Sequence, residues 1–256
     1  MKITILGCGS APGVPGVSAG WGVCDPTNPK NRRRRASVLV EQGPTTILID
    51  ASPDLREQML DAKVRKLDAV LFTHGHADHI HGLDELREIN RILKAPIPIF
   101  ADADTLRDLE TRFGYAFLGI PPGQPFFRPW LSPTVIDTAA GFAIADIPAR
   151  AFPQDHGYST TLGYRIGDFA YSTDVLELSD DVLESLKGVP VWVVGALQDQ
   201  PHATHAHLDK VLDWIERVKP GRAVLTHMSH ALDYETLRAQ LPARVVPAFD
   251  GMEIEV

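Results

Sequence analysis

Cysteine is scarce in this chain: Cys8 and Cys24 are the only two among 256 residues. At most one disulfide can form. That excludes a disulfide-stapled scaffold, and two thiols in a chain this long suit a reducing compartment. Long apolar runs are also missing. Val189 to Leu197 is among the longest, well short of the roughly 20 residues that span a bilayer. At the start, only Ile3 to Leu6 precede Gly7. That is too short for the apolar core of a signal peptide, even though Leu6-Gly7-Cys8 has a lipoprotein-like spelling. The expectation is a cytoplasmic protein with no membrane contact. Basic excess is lacking as well: 25 Lys and Arg face 33 Asp and Glu, a net charge of −8. Nucleic-acid adhesion needs broad basic patches, so no stable nucleic-acid partner is expected. No internal repeat, low-complexity tract or linker interrupts the chain, so one domain over residues 1–256 is expected.

Apolar residues make up 44% and charged residues 23%, enough for a sizeable core under an ordinary surface. Lys2 to Gly7 reads as a strand entering a glycine-rich loop that runs to Gly22. Ser37 to Glu41 and Thr45 to Asp50 are β-branched runs around Gln42-Gly43-Pro44, a hairpin pattern. Asp54 to Ala62 has helical spacing behind Ser52-Pro53, a cap and a first-turn proline. Asp68 to Thr73 reads as a buried strand, Leu83 to Leu93 as an amphipathic helix, Ile97 to Phe100 as a strand, and Asp104 to Phe113 as a helix. Gly119 to Pro133 is crowded with proline and aromatics and reads as a long loop, either a packed surface excursion or a pocket wall. Strands are expected at Phe142 to Ile147, Leu162 to Ile166, Phe169 to Ser172, Val191 to Val194, Ala223 to Thr226, and near Val245 and Ile254. Helices are expected at Ser179 to Leu186, Leu208 to Val218 and Tyr234 to Leu241. Early hairpins followed by α/β alternation imply sheets covered by helices.

The chemistry concentrates in Thr73-His74-Gly75-His76-Ala77-Asp78-His79. Three histidines and an aspartate fall within six residues, straight after a buried strand. Imidazole and carboxylate are ligands for zinc, iron or manganese. His74 and His76 are two apart, so extended backbone points them the same way. Asp78 and His79 follow where the chain turns into a helix. One such histidine means little; four such ligands in H-x-H-x-D-H order after a strand make coincidence improbable.

This segment resembles the signature of the metallo-β-lactamase fold, and the resemblance runs along nearly the whole chain. It implies an α/β protein, a four-layer αββα sandwich with metals at one edge of its sheets. It also implies further ligands: His156, Asp174 bridging two ions, and His227. One site would be His74, His76, His156 and Asp174; the other Asp78, His79, His227 and Asp174. Asp78 counts as catalytic as well as ligating, and Asp50 resembles the carboxylate that orients a ligand histidine. The implied cofactors are two divalent ions, zinc or manganese. Ions about 3.5–4 Å apart can hold a hydroxide between them and stabilise a phosphoryl centre.

Within that superfamily, Gly7-Cys8-Gly9-Ser10-Ala11-Pro12-Gly13-Val14-Pro15, Ala248 to Ile254, and Thr226-His227-Met228-Ser229-His230 resemble PhnP-type phosphodiesterases. The resemblance implies a small cyclic or nucleotide-like phosphodiester as substrate and a possible homodimer. It makes His205, twenty-two residues before His227, the candidate general acid, with His202 and His207 as rivals. Arg34 and Arg35 in the Arg32 to Arg35 run, Ser37 and His230 are candidate substrate contacts. The resemblance departs in one respect. PhnP-type proteins often hold a structural zinc with a cysteine cluster and the histidine matching His230, whereas here only Cys24 survives and Trp21 stands at one expected cysteine. No structural zinc is expected. The alternatives are a thioesterase of the glyoxalase II kind and a non-catalytic metabolite-binding accessory protein.

Overall fold

The computed structural model describes residues 1–256. In chain order its first half contains β1 (Lys2–Gly7), β2 (Ser37–Gln42), β3 (Thr45–Ile49), α1 (Leu55–Asp61), β4 (Ala69–Leu71), α2 (Ala77–Ile80), α3 (Leu86–Leu93), β5 (Ile97–Ala101), α4 (Ala103–Phe113) and β6 (Leu131–Val135). The second half contains β7 (Gly141–Ile144), β8 (Ile147–Asp155), β9 (Thr160–Ile166), β10 (Phe169–Ser172), α5 (Asp180–Ser185), β11 (Val191–Gly195), α6 (Leu208–Val218), β12 (Arg222–Thr226), α7 (Tyr234–Gln240), β13 (Val245–Pro247) and β14 (Met252–Glu255).

The strands form two seven-stranded mixed sheets, ordered β14-β1-β2-β3-β4-β5-β6 and β13-β12-β11-β10-β9-β8-β7. Side-chain alternation assigns the layers. In β2, β3 and β4, Val38, Val40, Ile47, Ile49, Ala69 and Leu71 enter the core that also takes residues of the second sheet. Their neighbours Leu39, Leu48 and Val70 point the other way, into a separate core with Leu55 of α1, Ile89 of α3 and Leu106 of α4. A strand buried on both faces needs an apolar residue at every position, which is why these segments are continuous apolar runs. On the far side, α5 and α6 bring Val182, Leu183, Val211 and Trp214 onto the second sheet. The αββα sandwich implied by the family resemblance is present.

Two readings needed correction. Phe142 to Ile147 is not one strand: Ala145, at φ 53°, turns the chain back into β8, which continues to Asp155. Pro148 and Pro153 obscure the alternation by residue type, yet the burial still alternates along most of the strand. The proline-rich loop also ends early, because β6 begins at Leu131. β6 is the sheet's outermost strand, where a proline costs no shared ladder bond. The rest of that loop folds around Arg128, whose guanidinium donates to the carbonyls of Tyr115 and Leu118 at 2.6 Å each. It does not line the metal pocket described next.

Candidate metal centre

The site lies beyond the carboxyl ends of strands in both sheets. β3 and β4 run parallel and deliver Asp50 and Thr73. In the other sheet, β10, β11 and β12 run parallel and deliver Asp174 and His227. Asp50, Asp174 and His227 all have left-handed backbones, at φ 63°, 48° and 54°. Such a conformation costs about 1–3 kcal/mol for a residue with a side chain and persists where its surroundings impose it. Here it ends each strand abruptly and turns one polar side chain into the site.

Those side chains converge. His74, His76, His156 and Asp174 each place a ligand atom within 4.8 Å of the others, and so do Asp78, His79, Asp174 and His227. Asp174 belongs to both groups, with one oxygen facing each. Its Oδ1 lies 3.3 Å from His79 Nε2 and 3.0 Å from His227 Nε2. Its Oδ2 lies 3.6 Å from His74 Nε2 and 3.8 Å from His156 Nε2. Asp78 Oδ2 is 3.2 Å from His79 Nε2 and 3.6 Å from His227 Nε2.

Several of these inward atoms (the Nε2 of His74, His79 and His227, and Oδ2 of Asp78) are buried without a hydrogen-bond partner. Buried polar atoms normally have partners, because leaving one unpaired costs roughly 1–3 kcal/mol. A cation would satisfy all of them, so the residues fit a divalent metal.

Hydrogen bonds behind the ligands set the ring tautomers. Asp50 Oδ2 accepts from His79 Nδ1 at 2.7 Å, and Oδ1 accepts from the Thr73 amide at 2.8 Å. The Thr73 hydroxyl donates to Asp50 Oδ2 at 2.9 Å, because a carboxylate can only accept. Its oxygen is then left to accept from His74 Nδ1 at 3.0 Å. His156 Nδ1 donates to the Thr204 carbonyl at 2.7 Å. Each of the three rings therefore keeps Nε2 free for an ion.

The buried carboxylates and imidazoles shift one another strongly. Burial pushes Asp174 up, but His227 and His79 outweigh it and hold the carboxyl well below its ordinary range. Burial alone would lower His227, but Asp174 and Asp78 raise it to about 9. Burial, reinforced by His79, pushes His74 well below the usual imidazole value.

Residues 45–228 match the β-lactamase superfamily domain, a span covering most of the chain and all seven of these ligands. The chain belongs to the β-lactamase superfamily. A crystal structure of a diphosphatase from the PhnP family superposes with TM-score 0.91 at 34% identity, covering all of this chain and 97% of the other. The zinc-bound PqqB of Methylobacterium extorquens superposes with TM-score 0.80 at 19% identity over the full length of both, a likeness of fold. Among curated proteins, an octanoyltransferase from Porphyromonas gingivalis is 33% identical over 99% of this chain. The chain spans about half the length of that relative (51%). The anti-Pycsar protein Apyc1 of Paenibacillus harenae is 27% identical over 77% of this chain and 84% of its own length.

Around these ligand groups lies a cavity of about 370 Å³. His205 is in it, with Nε2 3.4 Å from Asp174 Oδ2 and its ring stacked on His227 at 5.1 Å. Thr204 Oγ1, 2.8 Å from His205 Nδ1, holds the other edge. His202 and His230 also line the cavity, whereas His207 does not.

The other expected substrate contacts lie elsewhere. Arg34 is bound to Asp250 and Asp61, and Arg35 to Asp54 at 3.0 Å. The Ser37 hydroxyl donates to the Ile49 and Asp50 carbonyls. None of the three lines the cavity; each is consumed in bracing the opening loop or the end of β3. Arg33, in the same run, is 2% exposed. Its guanidinium donates to the Ser229 carbonyl at 2.8 Å and the Leu232 carbonyl at 2.7 Å, and approaches Cys24 Sγ at 3.9 Å. A buried cation thus ties the opening loop to the segment after His227. Sequence reasoning did not single out Thr73, Thr204 or Tyr158. Thr73 precedes the histidine motif, which was a usable signal; the other two depend on loop packing.

Proposed function

We propose that this superfamily member is a metal-dependent phosphodiesterase acting on a small phosphate ester. The observation that carries the reading is the position of Asp174, one oxygen toward each ligand group, with His205 Nε2 at 3.4 Å from the same carboxylate. Two divalent ions, zinc or manganese, held by His74, His76, His156, Asp78, His79, His227 and Asp174, would polarise a phosphoryl oxygen and bring the pKa of water to roughly 7.

The remaining steps belong to the chain. Asp50 and Thr73 hold His79 and His74 in the ligating tautomer. His205, fixed between Thr204 and Asp174, presents a ring nitrogen to the cavity and donates the proton that a leaving alkoxide needs. Asp174 restrains that ring, and His202, whose Nδ1 lies 3.3 Å from His205 Nδ1, backs it from outside.

The likeness to a PhnP-family diphosphatase over the whole chain supports phosphoryl rather than acyl chemistry. It also favours a second reading, hydrolysis of a diphosphate linkage at the same site. Turnover of bis(p-nitrophenyl) phosphate with manganese or zinc tests the proposal. His76→Ala is expected to abolish it. His205→Ala is expected to lower kcat by about 10²–10⁴ for an ester with an alkoxide leaving group, and much less for p-nitrophenolate, which departs without a proton. Unchanged turnover in both variants, or cleavage of an acyl thioester instead, rules the proposal out.

A further inference from the structure

Tyr158 is 81% exposed, an unusual position for an aromatic ring beside a buried metal-ligand cluster. Its backbone is firmly held. The His156 amide donates to the Ser159 carbonyl at 2.9 Å, and the Gly157 amide donates to Asp155 Oδ1 at 2.7 Å. Gly157 has φ +85°, and a Cβ there would lie 2.9 Å from the Ala203 carbonyl oxygen. This tight turn points His156 into the metal centre and leaves Tyr158 outside it, with the ring centroids 6.3 Å apart.

The ring stands on a ridge between two hollows. On one side is the metal cavity; on the other is a groove of about 630 Å³, and Tyr158 lines both. The groove also presents Ser159, Thr160, Asp155 and Glu177. The Ser159 hydroxyl is buried there without a partner. No lysine or arginine lines either hollow, and Glu177 is already paired with Lys210.

Resting on the phosphoesterase reading above, we propose that Tyr158 and this groove form a subsite for an aromatic, uncharged group attached to the scissile phosphate, such as a nucleobase. The phosphate has cations to meet only in the metal cavity. The groove offers the Asp155 carboxylate and the Thr160 hydroxyl, which accept from amino and hydroxyl groups, and the Asp155 charge repels a second phosphate. The exposed ring supplies a stacking face. A polyanionic strand is thereby excluded and a mononucleotide-sized ester selected. Tyr158 is a specificity-determining residue in this scheme and takes no part in bond breaking.

Calorimetric binding to the metal-loaded protein tests this with three probes: inorganic phosphate, ribose 5-phosphate and AMP. AMP is expected to bind more tightly than ribose 5-phosphate by about ten-fold, the scale of one base stacked on one ring. Tyr158→Ala should remove that preference while leaving phosphate and ribose 5-phosphate within two-fold. Tyr158→Phe should keep it. The exposed position makes both variants safe for folding. Equal affinity for AMP and ribose 5-phosphate, or a preference that survives Tyr158→Ala, overturns the subsite and leaves the phosphoesterase reading standing. Failure of all three probes to bind, in a protein that holds its metal, overturns the phosphoesterase reading itself.

Discussion

Asp50 Oδ2 lies 2.7 Å from His79 Nδ1, across twenty-nine residues of sequence. The same carboxylate takes the Thr73 amide and hydroxyl, so one buried acid orients ligands of both groups, His79 directly and His74 through Thr73. Asp50→Asn offers one oxygen where two are used, and its amide must face a donor. Metal affinity is expected to fall about 10- to 100-fold, read by competition with a chromogenic chelator. Retention of wild-type affinity would show that the acid does not set the ring.

Thr73→Val keeps the shape and removes the relay to His74 Nδ1. His79 keeps its own bond to Asp50. The expected result is preferential loss of metal from the group containing His74, His76 and His156 during dialysis, with Thr73→Ser restoring it. Metal content measured by atomic absorption decides the point, and equal loss from both groups contradicts it.

Arg33 should matter more for stability than its neighbours. Arg33→Met strands the Ser229 and Leu232 carbonyls, each an unpaired buried group, at a cost on the order of 3 kcal/mol. Exposed Arg32, over the Trp21 ring at 5.5 Å, should cost under about 1 kcal/mol on replacement by alanine. Urea midpoints of the two variants should differ clearly; similar midpoints would remove Arg33 from its bracing role.

Asp233 caps α7 by accepting from Thr236 N at 3.0 Å and also takes the Asn31 amide at 2.6 Å. Burial pushes its carboxyl up, but the Thr236 and Asp25 amides and Asn31 outweigh that and hold it at about 2. A depressed value means its contribution is full above the unfolded value near 3.9 and fades as pH falls toward 2. Asp233→Ala should cost about 1 kcal/mol at pH 5. That difference should shrink by pH 2.5 in metal-free protein, as followed by urea unfolding. A constant difference across that range would contradict the linkage.

Much of this could be read from residue order alone. Apolar runs named most strands, and His74 to His79 announced a metal site because ligands two residues apart on extended chain share a face. The strand at Ile147–Asp155 stayed hidden because its prolines break the residue pattern while its burial alternation survives only in the folded sheet. The arginine run was open to either reading from sequence, a solvated face or a substrate contact. Four adjacent cations look alike in sequence, yet the packed loop buries Arg33 and hands Arg34 to Asp250 and Asp61 and Arg35 to Asp54.

Local physics thus settled which segments form strands and which side chains can ligate, because both depend on residue type and spacing along a few neighbours. Only the packed structure decided that Asp174 splits its two oxygens between two ligand groups, that Thr73 relays Asp50 to His74, and that Tyr158 stands on a ridge. Those outcomes turn on angles and distances between residues tens to hundreds of positions apart, which exist only once two sheets have closed on one core.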